Sequence, residues 1–463
     1  MSNRPLTFTA ERLLHILQSY PAVDKYIVGF SGGADSTALL HALNAVQDQL
    51  DIPISAVHIN HGLHDHADLW QKQCEDFCLR NSIELVCLRV NPGKNSGKGL
   101  EAEARHLRYE AISTLVQPGA CLLTAHHADD QAETLLLNLM RGSGVDGLSA
   151  MPESRPFGGG LLQRPLLGFQ NGVLREYLHK NNIEWTEDPS NQHLDHDRNF
   201  VRHEIIPLLE KRWPEVSKRL LLTRKAMTDA RFLLEKVADE YLNQNLIHPQ
   251  VLQIKTETCA EPEMFKLVIR RWMKQSGTTS IPAYRLESFC EQLRQPGRNH
   301  NETIKWGGWA LHLYKRQLWL HENRDLLPCP TIEWPAADTT VGLGGDAGQI
   351  ILQGPNFLRP DGKFIVSSRT GTDETTIYRG GHHKSLKNLF QAANIPPWLR
   401  DCIPLCTLDG RLVAMGDWCI DEHFASWMFE NDTHLRWQPR NPLLKFLHAQ
   451  QSPQIVDPAG AVR

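Results

Sequence analysis

The stretch Ser31-Gly32-Gly33-Ala34-Asp35-Ser36 lies between an apolar, β-prone run, Tyr26-Ile27-Val28-Gly29-Phe30, and a helix-forming one, Thr37-Ala38-Leu39-Leu40-His41-Ala42-Leu43. A buried strand that enters a glycine-rich turn and then a helix presents free backbone N–H groups at the positive end of the helix dipole. That arrangement holds phosphate. Gly32 and Gly33 let the backbone approach an anion and tolerate positive φ. Ser31, Ser36 and Thr37 add hydroxyl donors. No lysine follows the glycines, so this is not the GxxxxGK[ST] loop. Asp35 cannot bind phosphate itself, but its carboxylate can hold a Mg²⁺ that does. The same residues also suit an ordinary helix cap, so the rest of the chain must decide.

The densest polar cluster is Thr124-Ala125-His126-His127-Ala128-Asp129-Asp130-Gln131-Ala132-Glu133-Thr134. One capping residue would start a helix there, whereas five are ionisable. Asp130 and Glu133, three apart, share a helix face and can hold an ammonium group by charge-assisted hydrogen bonds. The spacing is not HExxH, which argues against zinc. Arg105 and Arg108 sit on neighbouring turns of one helix face. They can clamp phosphates or pair with Glu101 and Glu103 on a solvated face. Val57-His58-Ile59-Asn60-His61-Gly62-Leu63 ends a second strand, where an adenine or ribose would lie. Arg141-Gly142-Ser143-Gly144-Val145-Asp146-Gly147-Leu148 reads as a flexible loop able to close over a substrate. Glu187-Asp188-Pro189-Ser190-Asn191 is a turn, and Arg198 and Arg202 lie four apart where a helix starts.

These motifs need a scaffold. Short apolar runs predict strands at residues 26–30, 54–60, 84–90 and 121–125, with amphipathic helices between and after them at 36–46, 65–81, 99–116 and 129–140. Alternating β and α implies an α/β fold, a parallel sheet covered on both faces, with ligands at the carboxyl ends of its strands. Every polar motif up to Glu133 except the Arg105/Arg108 helix follows such a strand directly. From Arg198 the pattern changes to long helices up to about residue 243. A region of helix and Trp/Leu alternation follows to His321. Residues 327–345 are rich in Pro, Gly and Thr and read as a linker. The division expected is a catalytic domain over 1–215, a helical linker and middle domain over 216–325, a linker over 326–349, a small α+β domain over 350–437 and a tail over 438–463.

The chain has 463 residues, 41% hydrophobic and 22% charged, long enough for roughly two to four domains. No apolar run reaches the ~18 residues of a membrane helix. The first residues lack the apolar core of a secretory leader, so a cytoplasmic protein is expected. Ten scattered cysteines agree. Cys74/Cys78 and Cys402/Cys406 each have three residues between them, not the two of a zinc or redox pair. The net charge of −4 offers nucleic acid no global attraction. Binding to RNA must then rest on local patches. Arg379, Lys384, Lys387 and Arg400 form one, with no acid among residues 379–400; the helical stretch from Arg198 is another, interrupted by acids.

SGGADS resembles the signature of the PP-loop ATP pyrophosphatases, a Rossmann-like superfamily that cleaves ATP between the α- and β-phosphates and adenylates a substrate. SGGADS, HINHGL, EARHLRY, HHADDQAET, RGSGVDGL, EDPSN and RNFVRHEIIP, in this order and spacing, are similar to the motifs of the tRNA(Ile)-lysidine synthetases. The segment GGHHKSLKNLF followed by IPPWLR is similar to the C-terminal domain of their longer members. The resemblance implies ATP and Mg²⁺, free L-lysine, and a tRNA(Ile) with a CAU anticodon whose wobble cytidine becomes lysidine. It implies ATP binding by Ser31, Gly32, Gly33, Ala34, Asp35, Ser36 and His61, with Asp35 on the Mg²⁺. It further implies lysine binding by Asp130, Glu133, Arg105 and Arg108, and catalytic roles for Asp35, Asp130 and Arg202. Contacts to tRNA would come from Arg198, Arg379, Lys384, Lys387 and Arg400. A thiolating relative would need the Cys-x-x-Cys pairs this chain lacks. The oligomeric state is left open, with a homodimer among the options.

Overall fold

A computed structural model describes residues 7–60, 62, 66–90, 100–187, 196–255, 261–294, 303–335, 337–355, 360–369 and 375–451. The chain forms two compact units, Met1–Leu234 and Glu235–Arg463. The first is built on a six-stranded sheet of β1 (Lys25–Gly29), β2 (Ile54–Asn60), β3 (Glu84–Arg89), β4 (Ala120–Leu123), β5 (Ser154–Phe157) and β6 (Gly160–Gln163). Its spatial order is β3-β2-β1-β4-β6-β5. All neighbours run parallel except the edge hairpin β5–β6. The α/β expectation is met, and the four predicted strands lie within two residues of the observed ends. The β5–β6 hairpin was not foreseen.

Alternation along the strands explains why both faces are covered. Tyr26 and Val28 of β1 with Cys121 and Leu123 of β4 enter one apolar cluster; Ile27 and Leu122 enter the other. In register, Tyr26 faces Cys121 and Ile27 faces Leu122. The helices that cover the sheet include α1 (Ala10–Gln18), α2 (Ala34–Asn44), the short α3 (Gln47–Leu50), α4 (Ala67–Arg80) and α5 (Leu100–Ser113). The unit continues with α6 (Ala128–Met140), α7 (Val145–Leu148) and α8 (Asn171–Lys180). Leu39, Leu40 and Leu43 of α2 are fully buried, each contributing about 1.5–3 kcal/mol of apolar burial. That burial pins the helix that the Ser31–Gly33 loop enters and whose first turn holds Ala34, Asp35 and Ser36. Cys74 and Cys78 are buried in the same core as packing residues. After α8 come α9 (Asp197–Phe200), a π-helical turn (Val201–Ile205), α10 (Ile206–Arg212) and the long α11 (Val216–Asn245).

The second unit holds an antiparallel sheet in the order Leu246–His248, Val251–Gln253, Gln317–Glu322, Trp309–Tyr314 and Thr303–Trp306. Helix Pro262–Gln275 packs Phe265, Val268, Ile269 and Trp272 into its core. The stretch 326–349, expected as a linker, carries strands Ile332–Glu333 and Thr340–Gly344. Val341 and Leu343 alternate into the core, and Thr340–Gly344 pairs with Gly348–Gln353. Glycines that suggest a linker here serve a tight hairpin. Gly348 has φ +77°, and a Cβ on it would meet the Gln438 carbonyl oxygen at 2.0 Å. Residues 438–450, expected as tail, include helix Pro442–Gln450, whose Leu443, Leu444 and Leu447 are core residues. Among the described residues no helix is long and apolar enough to cross a membrane.

Candidate active site at the carboxyl end of the sheet

The loop after β1 enters α2 with Gly33 as N-cap, and no side chain caps that helix. The amides of its first turn therefore remain available, as the first turn of any helix leaves them. Gly32 adopts φ +81°, and a Cβ there would stand 3.0 Å from Cys74 Sγ. The loop is braced from within. The Ser31 and Ser36 hydroxyls lie 3.1 Å apart, Ser36 Oγ donates to the Gly33 carbonyl at 3.1 Å, and Thr37 Oγ1 donates to the Gly32 carbonyl at 3.3 Å. The Thr186 amide donates to the Gly32 carbonyl at 2.9 Å, so the chain entering the EDPSN motif lies against the loop. At the next strand end, the imidazole Nδ1 of buried His58 lies 2.9 Å from the Phe30 carbonyl oxygen, and Asn60 Nδ2 donates to Asp68 and Gln71 at 2.9 Å. His61 and residues 188–191 lie outside the described residues.

Asp35 stands in the first turn of α2. Its Oδ1 accepts from Asn171 Nδ2 at 2.7 Å, and its Oδ2 lies 3.5 Å from His127 Nε2. The same imidazole lies 3.5 Å from carboxylate oxygens of both Asp129 and Asp130. Asp129 in turn accepts from the Asn171 amide at 2.8 Å, and the Asp130 carboxylate accepts from the His127 amide at 2.9 Å. Burial opposes charge on His127, yet the hydrogen bond to Asp35 and the charges of Asp130, Asp35 and Asp129 prevail and hold its pKa above the ordinary value. His126 behaves oppositely. Burial, aided by Arg164, Arg198 and Arg105 and opposed by Asp130, pushes it down to about 3, so it is neutral. The two adjacent histidines are thus shifted in opposite directions.

Asp130 and Glu133 are buried and face two arginines. Arg198 donates from Nη2 to Asp130 Oδ1 at 2.7 Å and from Nε to Glu133 Oε2 at 2.8 Å. Arg202 donates to Asp130 Oδ1 at 3.1 Å and to both Glu133 oxygens at 2.6 and 3.0 Å. Burial works against an ionised Asp130, but His127, Arg198, His126 and the His127 amide win and keep its pKa below the usual carboxylate value. Arg202 is pushed up, Glu133 and Asp130 outweighing its burial. The π turn that carries Arg202 lengthens the backbone hydrogen-bond span from four residues to five, a distortion common at functional sites.

The family resemblance implies site roles for Asp35, Asp130, Glu133 and Arg202, and the structure brings these four side chains together. Arg198, expected to meet tRNA, is engaged by the carboxylates. Arg105 and Arg108 are exposed on α5, with Arg105 over the Tyr109 ring at 5.2 Å. Asn171, 136 residues from Asp35, was missed; only the fold brings it there. Lys384 lies in the hairpin Thr376–Arg379/His382–Ser385, and Lys387 in the helix Leu386–Ala392 that Ser385 caps; both are exposed. Arg379 Nη1 donates to the Trp418 carbonyl at 3.5 Å, while Glu422 accepts from the Gly380 and Gly381 amides. Arg400 covers the Phe390 ring and donates to the Ile395 carbonyl at 3.2 Å.

A mostly parallel sheet, an uncapped helix start after its central strand and a carboxylate in that first turn make this an α/β domain with a ready anion site. Residues 6–209 match the family model of a PP-loop domain, 260–319 that of a TilS substrate binding domain, and 364–437 that of a TilS substrate C-terminal domain. The chain is 36% identical over 400 residues to the tRNA(Ile)-lysidine synthase of Alkalilimnicola ehrlichii, covering 85% of this chain and 89% of that one. Identity to the synthase of Methylococcus capsulatus is 34%, covering 89% and 96%, and to that of Coxiella burnetii 33%, covering 90% and 94%. This chain belongs to the tRNA(Ile)-lysidine synthase family.

Proposed function

We propose that the protein uses ATP to join L-lysine to C2 of the wobble cytidine in a CAU-anticodon tRNA(Ile). The cytosine carbonyl oxygen attacks the ATP α-phosphorus, pyrophosphate leaves, and the base is O-adenylated. The lysine ε-amine then attacks the activated carbon, and AMP departs. The product decodes AUA instead of AUG and is charged with isoleucine instead of methionine. The observation that carries this reading is the single network joining a phosphate-cradling helix start to a buried carboxylate pair, through Asp35, His127 and Asp130.

Around Ser31–Ser36 the first-turn amides of α2 and the Ser31 and Ser36 hydroxyls stabilise charge as pyrophosphate forms. Asp35 and Asp129 are about one-third exposed and lie against different nitrogens of the His127 ring; Asp35, in the first turn of α2, is the oxygen donor that fits a cation bound through one carboxylate and substrate phosphates. Mg²⁺ held by Asp35 would supply charge neutralisation at those phosphates. Asp130 and Glu133 receive the lysine ammonium. Asp130, with its depressed pKa, is a weak base and a strong cation partner. Arg202 and Arg198 already fill these carboxylates. An incoming ammonium therefore competes with a guanidinium and releases its fork for the lysine carboxylate or a phosphate. Arg105 and Arg108 neutralise phosphates or that carboxylate at the mouth. The exposed Lys384 and Lys387, with Arg379 and Arg400, contact the tRNA away from its anticodon, at the acceptor stem.

Incubation with ATP, L-lysine and an unmodified CAU-anticodon tRNA(Ile) transcript, followed by mass analysis of the anticodon nucleoside, tests the reading. Lysine incorporation with AMP and pyrophosphate release is expected. A transcript of unchanged mass after full ATP turnover would defeat it.

A further inference from the structure

A second group of arginines adjoins this crevice and differs from Arg198 and Arg202 in its company. Arg105 stands over the Tyr109 ring at 5.2 Å, and Arg155 stands over the same ring at 5.7 Å and over Phe157 at 5.2 Å. Tyr109 and Phe157 meet edge to face at 5.7 Å. Arg164, immediately after β6, is 5% exposed. Its Nη1 donates to the Pro152 carbonyl at 2.7 Å, but its Nε is buried without a hydrogen-bond partner. Among the described residues none of these three guanidiniums forms an ion pair with a carboxylate. Glu103, two residues from Arg105 on α5, has its Oε2 buried without a hydrogen-bond partner.

Such a group is costly alone. Burial lowers the Arg164 pKa, Arg155 and Arg105 lower it further, and Tyr109 works the other way. A buried donor without an acceptor adds its own penalty. An anion entering between the guanidiniums would remove both costs. The position limits which anion. Arg164 follows the carboxyl end of β6, Arg155 pairs with Leu162 one strand away, and both Arg164 and Arg105 act on His126 beside Asp130. ATP phosphates already have the amides of α2. Tyr109 and Phe157 pack in the core and hold the guanidiniums over their rings, and positioned guanidiniums suit a phosphate of a nucleic-acid backbone.

We propose that Arg105, Arg155 and Arg164, set around Tyr109, form a seat for a backbone phosphate of the anticodon loop beside its reacting base. The inference rests on the lysidine synthase reading above and adds to it where the loop is gripped. Arg164 and Arg155 anchor the phosphate, so the wobble base turns toward Asp130.

The test uses the full-length protein and a CAU anticodon stem-loop RNA. Arg155→Ala is expected to bind this RNA roughly tenfold more weakly, as one charge-assisted contact is worth. Its salt dependence should be shallower by about 0.7–0.9 in log–log slope. Its melting temperature and KM for L-lysine should match those of the wild type. A stem-loop carrying neutral methylphosphonates in the anticodon should weaken wild-type binding and leave Arg155→Ala binding unchanged. Arg164→Lys keeps a buried cation without the fork and should show a smaller loss of the same kind. Unaltered RNA affinity and slope with a raised lysine KM would mean that the seat holds the amino-acid carboxylate and would overturn the proposal, as would no change at all. Wild-type protein that bound RNA through Arg155 yet formed no lysidine would refute the ligase reading while leaving the seat in place.

Discussion

The two basic regions of this protein spend their charge in opposite ways. Arg198 and Arg202 are only about one-third exposed and are saturated by Asp130 and by Glu133, which is 1% exposed. Lys384 and Lys387 are exposed on a hairpin and the helix that follows it. A buried guanidinium with fixed carboxylate partners is a positioned object, with little left for long-range attraction. An exposed ammonium is mobile and screened, yet it can meet a phosphate from any direction. The first arrangement suits chemistry that needs atoms in place, and the second suits docking a polyanion. A chain of net charge −4 can therefore bind nucleic acid, provided its free cations are grouped on one surface and the others are tied up.

The largest effect should come from the residue that links loop and cluster. Asp35→Ala removes the acceptor shared by Asn171 and His127 and is expected to abolish lysidine formation, a loss of at least about 10³-fold. Mass analysis of the anticodon nucleoside measures it, and near-wild-type turnover would remove Asp35 from the mechanism. Next in size is Glu133→Ala. It leaves two arginines beside a vacancy and should destabilise the first unit by about 3 kcal/mol, besides reducing activity. Urea unfolding reads the stability change. A loss below about 0.5 kcal/mol, the range of an ordinary surface change, would erase the contrast drawn between buried and exposed cations.

Much of this arrangement is legible in the amino-acid sequence, and the gaps have physical causes. The four strands β1–β4 are short, apolar and bounded by turn residues, so period and length identify them. Hairpin β5–β6 is different, because Pro156 and the run Gly158-Gly159-Gly160 read as a loop. Proline is tolerated there because β5 is an edge strand, and the glycines are required because a Cβ on Gly158 or Gly160 would meet the Ser113 or Ala120 carbonyl oxygen at 2.6 or 2.1 Å. Missing that hairpin also hides Arg155 and Arg164. The spacing of Arg198 and Arg202 shows a shared helix face, but nothing local announces that Asp130 and Glu133, more than sixty residues away, will face them. Asn171 carries no motif at all. The hairpin at 340–353 was hidden by glycines whose composition suits a linker as well as a turn.

The exposed region supplies the third prediction. Lys384→Glu combined with Lys387→Glu should weaken binding of full-length tRNA roughly tenfold or more and flatten its salt dependence by about 1 per lost phosphate contact. ATP binding and melting temperature should hold, since neither side chain is buried. An anticodon stem-loop lacking the acceptor stem should not register the change. If stem-loop and full tRNA suffered equally, the hairpin would belong with the catalytic crevice, and the division of labour between the two regions would fail.

The smallest effect tests the buried region through pH. His127 has a folded pKa above 6.5 because Asp35, Asp130 and Asp129 surround it. A raised folded value favours the protonated form, so its contribution to stability is complete below 6.5 and disappears as pH rises through the folded value. Asp130 has the opposite sign. Its folded value lies below 3.8, and its contribution is complete above 3.8 and lost as pH falls through the folded value. The stability difference between wild type and His127→Gln should therefore shrink on going from neutral to alkaline pH, while Lys384→Glu shows no such trend over that range. Unfolding curves at a series of pH values give the comparison. A His127→Gln difference that stayed flat or grew with pH would mean that the imidazole is neutral. Asp35 would then lack its cationic partner, and the charge link from the phosphate loop to Asp130 would be broken at its centre.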